Sequence, residues 1–158
     1  MNKVYIALGS NLAHPVTQLN QAVTALAHLP QSKLIAVSSF YQSKPMGPQD
    51  QPDYVNAVVC IETTLPPLDL LNALQHIENR QGRVRLRHWG ERTLDLDILL
   101  YADIIMQSER LTIPHYDMQR REFVIIPLFE IAPELVLPDG TTLASLMDQF
   151  KKHNMLRL

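Results

Sequence analysis

The chain has 158 residues, 46% of them hydrophobic, enough for one domain with a core of its own and no metal or disulfide staple. Its formal net charge of −2 argues against a nucleic-acid binder held by bulk positive charge, so an anionic ligand has to meet a local basic patch. The lone cysteine, Cys60, excludes an internal disulfide, and its apolar neighbours predict a small buried side chain rather than a nucleophile.

Residues 4–8 form a short apolar run stopped by Gly9-Ser10-Asn11, which reads as a buried strand entering a turn. That run is too short for a signal peptide and nothing later approaches a membrane span, so the expected compartment is the cytosol. Pro15 suits the first turn of a helix, along which Val16, Leu19, Asn20, Val23, Leu26 and Ala27 recur at mostly three- and four-residue intervals until Pro30. A second strand is predicted over residues 34–41. Pro45, Gly47, Pro48 and Pro52 make residues 43–53 a loop, and a third strand follows from Tyr54 to Thr63. Pro66 and Pro67 can open a second helix with Leu70, Leu71, Leu74 and Ile77 on one face, ending near Gly82. Residues 94–101 read as a fourth strand. The last third holds a short helix over residues 122–130, a Pro138-Asp139-Gly140 turn and a polar tail. The order strand, helix, strand, strand, helix, strand is that of a ferredoxin-like split βαβ core, an α+β domain spanning residues 1–158 with a mainly antiparallel sheet and helices packed on it.

The chemistry concentrates after the second helix. Arg80, Arg83, Arg85, Arg87 and Arg92 face a single acid, Glu91, a local charge of +4 that leaves −6 for the rest of the chain. Gly82 and Gly90 make this segment a basic loop, and guanidinium groups pair well with phosphate oxygens. A solvated surface run is the plain alternative. Immediately downstream, Asp95 and Asp97 are spaced i, i+2 on the fourth strand. Alternation puts both carboxylates on one face, roughly 7 Å apart at Cα, while Leu94, Leu96 and Ile98 point into the core. Two such carboxylates can hold hard divalent cations that complete their shells with water and substrate phosphates. An edge strand with a polar outer face would show the same spacing. No Gly-x-x-x-x-Gly-Lys-Ser/Thr run occurs, so a P-loop is excluded and side chains must hold any phosphates.

Residues 88–99, His-Trp-Gly-Glu-Arg-Thr-Leu-Asp-Leu-Asp-Ile-Leu, resemble the signature of the hydroxymethyldihydropterin pyrophosphokinases, in which an arginine precedes a metal-binding Asp-x-Asp. Supporting segments run along nearly the whole chain: Ala7-Leu8-Gly9-Ser10-Asn11-Leu12, residues 47–56, Gln81-Gly82-Arg83-Val84-Arg85 and Pro114-His115-Tyr116-Asp117-Met118. The resemblance implies an enzyme of folate biosynthesis that transfers the β,γ-diphosphate of ATP to 6-hydroxymethyl-7,8-dihydropterin and releases AMP. It implies two Mg²⁺ ions on Asp95 and Asp97, with Arg83 and Arg92 neutralising the phosphates as charge migrates. Gln75, Glu78, Arg85, His88, Trp89, Arg92, Ile98, Arg110, Thr112, His115, Tyr116 and Arg121 would surround the nucleotide. Ser43, Lys44, Met46, Tyr54, Asn56, Trp89, Asp95 and Phe123 would surround the pterin. That ligand suits them chemically, since a flat bicyclic ring can stack between Tyr54 and Phe123 while the Asn56 amide pairs with the ring's own amide edge. His88 stands where the family usually carries a more basic residue, and Ser43-Lys44 where a Thr-Pro pair is usual. The expected partners are the two substrates alone, with no nucleic acid or membrane, and the expected state is a monomer. The loop over residues 82–92 is expected to close over bound substrates, with Trp89 as its reporter. Two other classes fit parts of the pattern: a small RNA-binding module, disfavoured by the net charge and by 6% aromatics, and a metal-dependent phosphohydrolase using Asp95 and Asp97.

Overall fold

A computed structural model of the chain describes residues 1–11, 14–44, 53–81 and 93–158. The elements run β1 (Asn2–Ser10), α1 (Pro15–Ala27), β2 (Ser32–Val37), β3 (Tyr41–Ser43), β4 (Tyr54–Thr63), α2 (Pro67–Arg80), β5 (Asp95–Tyr101), β6 (Met106–Gln107), β7 (Thr112–Ile113), α3 (Glu122–Ile131), α4 (Leu143–Met147) and β8 (Leu156–Arg157). The main sheet has the order β5-β1-β4-β3-β8, with β2 also on β4, and its strand pairs are antiparallel. With β1 between β4 and β5, this is the split βαβ arrangement predicted from the order of elements.

Period-2 alternation divides the sheet into two faces, each with its own layer of helix. Val4, Ile6, Leu8, Ala57, Val59, Ile61, Leu96 and Ile98 are buried with α1 and α2, through Leu19, Ala22, Leu26, Leu70, Leu74 and Ile77. Tyr5, Val58, Cys60 and Leu99 are buried on the other face with α3 and α4, through Val124, Ile125, Leu128, Leu143 and Leu146. Fully burying one such leucine or isoleucine contributes about 2 kcal/mol, so both layers are strongly held. Cys60 is 3% exposed, and burial pushes its thiol pKa up, in keeping with a packing role.

Several expectations need correction. Residues 34–41 are not one strand: β2 pairs with residues 59–63 of β4 and β3 with residues 54–56, and the chain between them steps aside. There the Ser38 amide donates to the Val58 carbonyl, and the Ser38 hydroxyl accepts the Val58 amide, both at 2.9 Å. The Ser39 amide turns instead to the Glu130 carboxylate at 3.0 Å. Side chains thus take over what the ladder would have satisfied, a competition that β propensity does not register. On α1, Val16, Asn20 and Ala27 are exposed, and Ala22 joins Leu19 and Leu26 on the buried stripe. The polar tail folds back, β8 adding an edge to β3 and Met155 packing with Tyr41 and Ile126. Among the described residues no helix is long and apolar enough to cross a membrane.

Candidate active site

The sheet face that buries Tyr5, Val58 and Cys60 at one end changes character at the other. In register across three strands, Gly9 of β1 lies opposite Asp95 of β5 on one side and Asn56 of β4 on the other. One step further along, Ala7 is paired with both Asp97 and Val58. The small residues of β1 therefore form the floor of a trough between the β5 carboxylates and the Asn56 amide, two strand spacings or roughly 10 Å across. An open cavity of about 390 Å³ fills this trough.

The floor is tight. A Cβ added to Gly9 would stand 2.7 Å from Asn56 Oδ1, so glycine is required for Asn56, itself only 6% exposed, to lie flat against β1. Tyr54 and Phe123, both half-buried, stand at the walls, and Ser43 and Lys44 border the same cavity from the end of β3. The guanidinium of Arg121 lies 5.6 Å from the Phe123 ring centroid, at cation–π distance. All the predicted pterin residues that fall among the described ones thus meet around one cavity, together with Ala7, Leu8, Gly9, Leu99 and Val124.

His115, Tyr116 and Arg121 line that cavity too. The His115 and Tyr116 rings stack at 4.9 Å with 18° between their planes. The Asp117 amide donates to His115 Nδ1 at 3.2 Å, which leaves Nε2 as the protonated nitrogen of the neutral ring. Burial draws the His115 pKa down, and the Arg121 charge adds to this against the opposing pull of Asp97 and Asp117. Burial pushes the Asp117 carboxyl up, but the hydrogen bonds and charges of Arg120 and Arg121 together outweigh it and hold the group below the usual range.

The remaining nucleotide candidates fall into a second group behind β5. Glu78 is buried on α2, and its Oε2 accepts the Leu96 amide at 2.8 Å, tying the edge strand between its two aspartates. Ile98 is in the core against α1 and α2. Gln75 is bridged to the β6–β7 hairpin by Arg110, which donates to Gln75 Oε1 at 3.2 Å and to Asn72 Oδ1 at 2.6 Å. Thr112 sits in β7, paired with Gln107. Met46, Arg83, Arg85, His88, Trp89 and Arg92 lie outside the described residues, as does the loop over residues 82–92.

Asp95 is half-buried and Asp97 exposed, on the face predicted by their spacing. Among the described residues no three His, Cys, Asp or Glu groups gather as a metal cage. Both aspartates line the cavity, and their oxygen donors suit Mg²⁺, which keeps waters and takes substrate phosphates rather than an all-protein shell.

The sequence model of the family described as 7,8-dihydro-6-hydroxymethylpterin-pyrophosphokinase matches residues 5–133. The chain is 65% identical over 158 residues to the 2-amino-4-hydroxy-6-hydroxymethyldihydropteridine pyrophosphokinase of Haemophilus influenzae, covering 100% of this chain and 99% of that one. It is 54% identical over 147 residues to the enzyme of the same name from Pseudomonas aeruginosa, covering 93% of this chain and 91% of that one. Among solved structures, wild-type Plasmodium falciparum HPPK-DHPS shares the fold at a TM-score of 0.76 and 14% identity, covering 99% of this chain but 46% of that longer one. Register, cavity and likeness converge, and the chain belongs to the 7,8-dihydro-6-hydroxymethylpterin pyrophosphokinase family.

Proposed function

We propose that the diphosphate transfer catalysed by this pyrophosphokinase of folate biosynthesis, from ATP to 6-hydroxymethyl-7,8-dihydropterin with release of AMP, takes place in the cavity floored by Ala7 and Gly9. The observation that carries this reading is the register that sets Asp95, Gly9 and Asn56 in one line across three strands. The pterin ring would lie over Gly9 between Tyr54 and Phe123, its amide edge read by Asn56, with its hydroxymethyl arm directed to the β5 side. Ser43, Lys44 and Met46 would complete its surround.

Asp95 and Asp97 would hold two Mg²⁺ ions, which when bound neutralise the polyphosphate and favour departure of AMP. The side chains do the rest by placement and charge, as phosphoryl-type transfers allow. Arg121 is engaged through Nε, which leaves its terminal amino groups for a phosphate. His115, neutral at physiological pH, can donate from Nε2 to a phosphate or sugar oxygen, and Tyr116 extends its ring surface. Arg83, Arg85, His88, Trp89 and Arg92 would approach the phosphates from the basic segment, and Gln75, Glu78, Ile98, Arg110 and Thr112 would border the nucleotide behind β5. We take the working unit to be a cytosolic monomer that needs neither nucleic acid nor membrane.

The test is to incubate the protein with ATP and Mg²⁺, with and without the pterin alcohol, and identify the nucleotide product. AMP formed only in the presence of the pterin supports the reading. ADP or phosphate released without pterin would place the chain among metal-dependent phosphohydrolases instead.

A further inference from the structure

Of the segment Pro114-His115-Tyr116-Asp117-Met118, the side chains of His115 and Tyr116 line the cavity and that of Asp117 does not. Its contacts all concern its neighbours. Asp117 Oδ2 accepts Arg121 Nε at 3.2 Å. Oδ1 accepts Arg120 Nε and Nη2, each at 2.8 Å. Its backbone amide fixes His115 Nδ1.

The two arginines differ in what they can reach. Arg121 is 19% exposed and lines the cavity beside Phe123, whereas Arg120 is 81% exposed and lies outside it. An unrestrained arginine samples many rotamers and would lie along the Phe123 ring or swing to solvent. A carboxylate gripping both terminal amino groups would fix it but consume its phosphate-binding fork. Contact through Nε alone sets the plane of the guanidinium and leaves the fork open.

We propose that Asp117 is a positioning residue for the transfer reaction, its carboxylate holding Arg121 side-on through Nε so that the terminal amino groups are presented to the nucleotide phosphates next to Phe123. The inference rests on the reading that Arg121 contacts ATP. The bland alternative is that Asp117 ties the turn over residues 117–121 together and matters only to stability.

A double-mutant cycle separates these cases, with KM for MgATP, KM for the pterin and Tm measured for Asp117→Ala, Arg121→Ala, both together, and Arg120→Ala. Asp117→Ala and Arg121→Ala are each expected to raise KM for MgATP about tenfold, and the double variant no more than Arg121→Ala alone, because the acid has nothing left to position. Arg120→Ala, which removes the other partner of the same carboxylate, should leave KM within about twofold of the parent value. Asp117→Asn, similar in shape and still offering an acceptor oxygen to Nε, should fall between parent and alanine variant, and serves for the whole cycle if the alanine variant does not fold. Additive effects of Asp117 and Arg121, or an unchanged KM in the Asp117 variants, would overturn the proposal. If Arg121→Ala itself leaves KM for MgATP unchanged, the underlying assignment of Arg121 to the nucleotide has failed rather than the clasp.

Discussion

Gly9 shows how much of this site depends on a missing side chain. With Asp95 and Asn56 as its cross-strand neighbours, it is the point at which a ligand ring can approach the sheet backbone. Gly9→Ala forces the new methyl against Asn56 Oδ1 at 2.7 Å, too close for any real contact, so the amide must rotate away from the ring edge it is proposed to read. We expect KM for the pterin to rise about tenfold, equivalent to roughly 1.4 kcal/mol, with KM for ATP little changed; steady-state kinetics in both substrates checks this. Asp97→Ala should lower turnover by about 10²–10³-fold or more while far-UV circular dichroism stays that of the parent, because an exposed strand residue contributes little to folding. Near-normal turnover at saturating Mg²⁺ would remove Asp97 from the metal site. The two aspartates were legible from spacing alone, since strand alternation fixes their face. Gly9 reads in the sequence as a turn residue within a segment shared with the family, whereas the structure puts it inside β1; nothing in one sequence says which strand will lie opposite another, and its place between Asp95 and Asn56 exists only in the register.

At the scale of elements, Glu130 joins parts that are distant in the chain. It sits near the end of α3, accepts the Ser39 amide at 3.0 Å, the Ser39 hydroxyl at 2.9 Å and the Tyr41 hydroxyl at 2.6 Å, and meets Arg157 of β8 at 3.4 Å. Burial alone would raise its pKa, but the bonds from Tyr41 and Ser39 and the Arg157 charge outweigh that and hold it below 4.5. Tyr41, whose phenol burial and this carboxylate push to about 12, stays protonated and donating throughout the useful pH range. The sign follows directly: a depressed carboxyl contributes stability that is fully present above the ordinary glutamate value and lost as pH falls through the folded-state value. Glu130→Gln should flatten the acid side of the Tm-versus-pH curve below about pH 5, and Glu130→Ala should cost on the order of 3 kcal/mol by denaturant unfolding near neutral pH. An acid limb unchanged in Glu130→Gln would show that the cluster is not ionised as described. Helices α1 and α2 and strand β4 were readable from period and proline punctuation. The break between β2 and β3 was not, because it is set by Ser38, Ser39 and a carboxylate about ninety positions away, beyond the reach of any local pattern.

In the whole molecule, β1 and β4 occupy the centre of the sheet with partners along both edges, whereas β6, β7 and β8 are two-residue strands. Amide exchange should therefore be slowest for residues 4–8 and 57–61 and fastest in the short strands, and uniform protection would contradict a sheet held from its middle. The same centre runs without interruption into the site: Leu8 is packed among the aliphatic side chains under α1 and α2, and Gly9 beside it forms the cavity floor. The overall fold could be read in the sequence from element order, whereas a basic run before paired aspartates spoke only for metal and polyphosphate, and the reaction class came from the resemblance of residues 88–99 to a known family. The division of the nucleotide candidates into a cavity group, His115, Tyr116 and Arg121, and a group behind β5 that includes Gln75 and Glu78 of α2 could not, since which face of β5 each segment packs on is settled only by the tertiary fold.

The pairing of β1 with β4 has a practical consequence for anyone who wishes to attach something to this protein. Asn2 lies opposite Thr63, at the far end of the strand from Gly9, so a fluorophore, affinity tag or fused domain placed ahead of it starts roughly 23 Å of strand away from the reacting groups. The other terminus offers no such distance. Arg157 is laid beside Tyr41, and the chain of β3 reaches Ser43 at the cavity two residues later, so cargo appended after Leu158 pulls on the strand that borders the substrate.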